Sequence, residues 1–380
     1  MKNKINSSVR VCTLLLVCAS WQVFANNQSD PQANKIKLLK AHNQAFNALD
    51  ELVRDPFVKK GPDGYYYLTG TTAGKHWGDK AGVRLWRSKN LVDWQNLGLV
   101  WQLHLDGKQQ NSWHYQKYIE RTKASSKVKD QYNPVAIWAP EIHYMQGTWW
   151  IPHSTDGGGH ALLKSTSGLP QGPYQALPPM MQRNIDSHLY QEGNDIYYAW
   201  QADFIGKMNA DMTQLAEPTT KLAHLGKHEM GYEGILIEKI ADKYLHIASG
   251  RYGYEPTDTY DLYYAVSKNL KGPYGKRRMM VKNAGHGNLV QDPYGKWWVT
   301  AFDHDYVKQA GGKNRWNLWL VPIELTISRD DVVVTVLDPR FKPNEEDQAF
   351  VDKLAIEGIP EAWKKVKPWT LPEHLSTHSD

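Results

Sequence analysis

The stretch RDPFVKKGPDGYYYLTGT, residues 54–71, sets the first question of the chain. A carboxylate, Asp55, stands just before an apolar pair, Phe57-Val58. A Gly-Pro-Asp-Gly turn follows, and then the aromatic run Tyr65-Tyr66-Tyr67-Leu68. An isolated Asp-Pro is a turn initiator whose side chain caps nearby backbone. A recurrence of the whole unit would mean something else, so internal repeats are the first thing to look for.

The unit recurs four more times. PEIHYMQGTWWIPHS begins at Pro140, IDSHLYQEGNDIYYAWQ at Ile185, YEGILIEKIADKYLHIASG at Tyr232 and GHGNLVQDPYGKWWVTAF at Gly285. Each passes from a polar residue into an apolar run, a turn and an aromatic-rich strand. The polar residues of the shared slot read as Asp55, Glu141, Asp186, Glu233 and His286. Further alternating segments follow, such as GVRLWRSKNLVDW, ALLKSTSGLPQGPY and LYYAVSKNLKGPYG, with Gly-Pro-Tyr at 172–174 and again at 272–274. Repeats of about 45 residues built from several short strands are the mark of β-propeller blades. The expected fold is all-β, a five-bladed propeller over residues 55–340.

The flanks read differently. Residues 1–25 carry Lys2, Lys4 and Arg10, then the apolar run Val11–Val17 and a Val23-Phe24-Ala25 cleavage site, the order of an export signal. The apolar run is too short to span a bilayer. The expected location is therefore periplasmic or secreted, without membrane insertion. A lipid anchor on Cys18 is the weaker alternative, because Val17 is bulky for such a signal. Residues 26–54 form an expected helical extension, with apolar spacing at Leu38, Leu39, Phe46, Leu49 and Leu52. Residues 341–380 form a second extension with a helical stretch over 347–367. An insertion, residues 101–135, separates the first two repeats. It is either a functional rim or mobile surface.

Composition narrows the function classes. Of 380 residues, 22% are charged and 41% hydrophobic, which suits a globular chain. Loss of residues 1–25 removes three basic residues and no acidic one, lowering the formal charge from +5 to +2. That argues against nucleic acid as a partner. Both cysteines, Cys12 and Cys18, lie in the signal, so no disulfide, thiol nucleophile or cysteine metal site is expected beyond it. There are 16 Trp and 21 Tyr against 7 Phe. Such rings suit core packing and sugar stacking equally. No nucleotide, redox or zinc-protease motif is present, and no organic cofactor is expected. The number of chains in the assembly has no signal.

In a propeller the first strand of each blade lines a central channel, so residues of one slot converge at one mouth. Carboxylates gathered in a funnel repel each other, which is costly without a role. Paired acids are what glycosidic cleavage needs: one activates water and a protonated partner donates to the leaving oxygen. A third acid would help keep that partner protonated.

These residues resemble glycoside hydrolase family 43, the five-bladed propeller glycosidases. The resemblance covers about residues 54–335 and rests on RDPF…DGYYYLTGT, LWRSKNLVDW, WAPEIHYMQGTWW, NIDSHLYQEGNDIYYAW, YEGILIEKIADKYLHIASG and GHGNLV. It implies that Asp55 is the general base, Glu233 the general acid, and Asp186 the residue that orients the acid and tunes its pKa. It implies that His286 faces the channel and helps hold a calcium ion or a water cluster, and that the reaction inverts the anomeric centre. Trp138, Glu141, Arg251 and Trp77 are candidate substrate-binding residues, with Glu141 alternatively bonded within the fold. His188 departs from the small residue many members carry there. The implied activity is exo-hydrolysis of a terminal sugar from plant or algal polysaccharide fragments, as an α-L-arabinofuranosidase or β-D-xylosidase. Galactose or anhydro-galactose linkages of marine galactans, or a non-catalytic carbohydrate-binding propeller, are the alternatives. A protein-interaction propeller is a third, but it would not need convergent acids.

Overall fold

A computed structural model describes residues 30–72, 82–125, 136–155, 158–226, 231–252, 259–303 and 317–358. Five antiparallel sheets succeed one another along the chain. The first comprises Arg54–Lys60, Tyr66–Thr71, Gly82–Ser88 and Gln95–Gln102. The second comprises Ile137–Trp138 with His143–Met145, then Thr148–Thr155, His160–Ser165 and Tyr174–Met181. The third runs Ser187–Glu192, Asp195–Trp200, Phe204–Lys207 and Thr220–Lys221, and the fourth Glu233–Ile240, Lys243–Tyr252, Thr259–Ser267 and Arg278–Val281. These are the blades of a five-bladed propeller.

The fifth blade is closed by the N-terminal side of the chain. Its inner pieces, Ala284–Gly285 and Leu289–Gln291, pair with Trp297–Asp303, which pairs with Asn317–Ile327. The outer edge of that last strand is shared. Val332–Val336 covers one half, and Phe46–Leu52 covers the other, with Phe46 opposite Leu320 and Leu52 opposite Asn317. The helical reading of residues 42–54 is thus corrected. The helix spans only Pro31–Ala41, capped by Asp30 and ended by His42 at φ 55°. Two register shifts, between Asn47 and Leu49 and between Leu49 and Leu52, break the strand's two-residue alternation. Such bulges turn a strand pattern into something that mimics helical spacing. Pairing with an open blade edge then overrides local periodicity.

The second extension holds a helix over Glu345–Glu357, started by a capping box between Asn344 and Asp347; residues 359–380 lie outside the described set, as do residues 1–29 with the expected export signal. In the insertion, a helix over Trp113–Ser125 packs on the second blade. His114 Nε2 lies 2.6 Å from His153 Nε2, and the Gln110 side chain bridges Tyr174 O and Ala176 N–H at 2.7 and 2.8 Å. This part of the insertion is a brace; residues 126–135 are not described.

The aromatic excess goes largely into the core. Trp86, Trp101, Trp150, Trp298, Tyr66, Tyr67, Tyr198, Tyr260, Tyr264 and Tyr274 are fully buried. Each such side chain removes 150–250 Å² from water. The two Gly-Pro-Tyr repeats serve one local device: the Tyr174 hydroxyl donates to Pro170 O and that of Tyr274 to Leu270 O. No helix among the described residues is long and apolar enough to cross a membrane.

Candidate active site

The first strand of each blade enters through a residue in the left-handed backbone region. Asp55 has φ 50°, Ala139 43°, Asp186 56°, Gly234 68° and His286 48°. For a non-glycine residue this conformation costs roughly 1–3 kcal/mol, least for Asp, Asn and His. The hydroxyls of preceding blades hold it in place. Thr71 Oγ1 accepts the Ala139 N–H at 2.7 Å, Ser154 Oγ accepts the Asp186 N–H, and Ser249 Oγ accepts the His286 N–H at 2.8 Å.

This corrects the shared slot. In the second blade the slot belongs to Ala139, and Glu141 lies two residues further along. In the fourth it belongs to Gly234, so Glu233 lies one residue earlier. Glu233 pairs with Ser249 as Trp138 pairs with Ser154, so Glu233 and Trp138 are the equivalent pair. The glycine is needed at 234 on two counts: the positive φ, and the His286 ring, whose atoms would lie 3.2 Å from an added Cβ.

Asp55, Asp186, Glu233 and His286 nonetheless meet at one mouth. His286 Nδ1 is 3.2 Å from Asp55 Oδ1 and 3.9 Å from Asp186 Oδ2. The Tyr260 hydroxyl is 3.4 Å from His286 Nδ1 and donates to Glu233 Oε1 at 2.7 Å. This chain of contacts keeps the Asp55 and Glu233 carboxylates no more than about 9 Å apart, a limit that spans both the roughly 6.5–9.5 Å of inverting acid pairs and the roughly 5 Å of retaining ones. Asp55 Oδ2 accepts the Thr71 hydroxyl at 2.5 Å. Asp186 Oδ2 accepts the Gly234 N–H at 3.0 Å, which ties it to the backbone beside Glu233.

The site holds protons tightly. Burial pushes Asp186 up to about 8; Glu233 and Asp55 add to the rise, while His286 and the Gly234 N–H oppose it. Burial also raises Glu233, with Asp55 adding, against His286 and the Tyr260 hydrogen bond. His286 is opposed by burial, yet Asp55, Asp186 and Glu233 prevail and raise it. Two acids with raised proton affinity, Asp186 and Glu233, thus stand in one cluster with Asp55 and His286. That is the outfit of acid–base cleavage.

His286 Nδ1 faces the Asp55 and Asp186 carboxylates and the Tyr260 phenol. Calcium takes six to eight oxygens. Glu141, a candidate for substrate contact, is 8% exposed, and its Oε2 is taken by His143 Nε2 and His188 Nδ1, both at 2.7 Å. Trp138 is half-buried and adjoins the mouth through its pairing with Ser154. Trp77 lies outside the described residues, as does the side chain of Arg251. Thr71, Ser154, Ser249 and Tyr260 were not singled out from the sequence. A hydroxyl residue in the last few positions of the second strand, in TGT, HST and ASG, is the available signal for the first three.

The family model "Glycosyl hydrolases family 43" matches residues 48–324, from within the closing strand to within the fifth blade. A xylan 1,3-beta-xylosidase from a Vibrio species is 22% identical over 280 residues, which is 65% of this chain and 47% of that protein. The chain thus spans about half the length of this curated relative. Among solved structures, the family 43 protein BlXynB from Bacillus licheniformis superposes with a TM-score of 0.55 at 21% identity, covering 77% of this chain and 57% of that one. An exo-1,5-alpha-L-arabinanase from a bovine ruminal metagenomic library gives 0.53 at 16%, covering 76% and 98%. With the family match running through all five blades, the chain belongs to glycoside hydrolase family 43.

Proposed function

We propose that this is an exported, inverting exo-glycosidase that removes a terminal β-D-xylose or α-L-arabinofuranose from polysaccharide fragments. The observation that carries the mechanism is the meeting of Asp55, Asp186 and Glu233 within one hydrogen-bonded mouth. Asp55, fixed by Thr71, would take a proton from water as the water attacks the anomeric carbon. Glu233, kept protonated by burial and by Asp55, would give its proton to the leaving oxygen. Asp186 would orient Glu233 through Gly234 and hold up its proton affinity. His286, pulled toward the charged form by the same carboxylates, would balance their charge as the oxocarbenium-like state develops.

The sugar preference rests on the xylosidase relative and the arabinanase neighbour, and exo action on the helical brace standing beside the second blade. Trp138, beside the mouth, would form one wall of the sugar pocket. Export rests on residues 1–25. Incubation with xylo- and arabino-oligosaccharides and with aryl xylosides and arabinofuranosides tests the reading. Release of monosaccharide from the non-reducing end is expected, with Asp55→Asn and Glu233→Gln losing about 10²–10⁴ in turnover on the oligosaccharides. Near-normal turnover in both variants would overturn the mechanism, and internal cleavage products would overturn exo action.

A further inference from the structure

Two residues past the left-handed slot, a second polar cluster lies outside the acid–base machinery. Glu141 and His143 come from the second blade and His188 from the third. They are 8%, 1% and 3% exposed. One donor atom from each lies within 4.8 Å of the other two. His143 Nε2 and His188 Nδ1 both point at Glu141 Oε2, at 2.7 Å each. Phe57, from the first blade, closes over them, its ring centroid 4.8 Å from that of His143 and 6.2 Å from that of His188.

The internal bonds use less than the cluster offers. One carboxylate oxygen serves two imidazoles. His143 Nδ1 and His188 Nε2 are buried with no hydrogen-bond partner among the described residues. Buried polar groups left without a partner are costly in a low-dielectric interior.

We propose that Glu141, His143 and His188 form a binding site for a divalent cation of the zinc class, joining the second blade to the third. Two imidazoles and one carboxylate are the donor set of first-row transition ions, whereas calcium and magnesium call for oxygen-dominated shells. The ion would place a positive charge beside the buried Glu141 carboxylate. Each imidazole would turn a lone pair to the ion and carry a proton on its opposite ring nitrogen. Burial on all sides assigns the ion a structural part, and the site does not depend on the hydrolase mechanism.

The test uses the full exported chain, stripped with a chelator and reloaded with zinc chloride or cobalt chloride. About one equivalent of metal is expected to survive gel filtration. Cobalt should give visible absorption bands of low-coordinate geometry, and zinc should raise the melting midpoint. Glu141→Gln and His188→Gln should each weaken retention at least tenfold and abolish the zinc-induced rise. Because either variant could fail to fold, crystals of the unaltered chain soaked in zinc supply a second reading. A zinc-edge anomalous peak bounded by Glu141, His143 and His188 supports the site. No retained metal, retention unchanged in both variants, or no peak at that position overturns it and leaves a hydrogen-bonded triad.

Discussion

Asp186 is tied to Glu233 through the backbone: its Oδ2 accepts the N–H of Gly234, the residue directly after Glu233, at 3.0 Å. Under the proposed mechanism, this carboxylate is what orients the acid Glu233. Asp186→Asn keeps an acceptor for that N–H but removes the titrating proton, while Asp186→Ala removes both. Both should lower kcat by about 10²–10⁴ with a smaller change in KM, measured on an aryl glycoside. The alanine variant should be the worse of the two. Equal losses would mean that the Gly234 contact does nothing for catalysis.

The same carboxyl links stability to pH. In the folded chain Asp186 holds its proton up to about 8, against an ordinary value of 3.8. The folded state therefore binds more protons than the unfolded chain between those values. Its stabilising effect is complete below about 4 and is lost as pH rises toward 8. Melting midpoints at pH 5 and pH 8 should fall further for the unaltered chain than for Asp186→Asn. A fall of the same size in both would contradict the raised value.

Tyr260 donates to Glu233 Oε1 at 2.7 Å and so favours the ionised acid. Tyr260→Phe removes that donor, and Glu233 should hold its proton to higher pH. The alkaline limb of the kcat/KM profile is expected to move upward, with the maximum lowered about tenfold, near the 1.5 kcal/mol scale of a hydrogen bond to a charged group. A downward move would show that the hydroxyl acts on the neutral form instead.

Thr71 joins two blades at Asp55, donating to its Oδ2 and accepting the N–H of left-handed Ala139. Thr71→Val keeps the shape and loses both bonds. Activity should fall about tenfold or more while Thr71→Ser retains most of it. Kinetics of the two variants, with melting curves to exclude loss of fold, decide the matter.

Much of this was legible in the residues because the blade repeats. Asp-Pro, Asp-Ser and His-Gly at 55, 186 and 286 mark three of the left-handed entries, since Asp and His tolerate that conformation where most residues do not. Ala139 gave no such hint. A carboxylate two residues later, Glu141, sat where the motif seemed to want one and drew the slot with it. The partners of Glu141 were hidden for another reason: His188 comes from a different blade, and pairing across blades has no local signature. Phe46–Leu52 was misread because its bulges imitate helical spacing and its partner strand lies about 270 residues away.

That closing strand makes its own prediction. Phe46 is 4% exposed and packs edge-on against Trp298 at 5.6 Å. Phe46→Ala should cost about 3–5 kcal/mol of stability and lower the melting midpoint, while the folded fraction keeps its kcat. A chain lacking residues 30–52 should not fold stably. Normal stability of the truncated chain would show that the fifth blade does not need its borrowed strand.

The central claim, that Glu233 protonates the leaving oxygen at a mouth shared with Asp55, is tested most directly by the leaving-group dependence of Glu233→Gln. Its kcat/KM should be measured on a 2,4-dinitrophenyl glycoside, which departs without protonation, and on an oligosaccharide of the same sugar, which does not. The expected result is near-normal cleavage of the first and a loss of about 10²–10⁴ on the second. Equal losses on both, or no loss on the oligosaccharide, would contradict it.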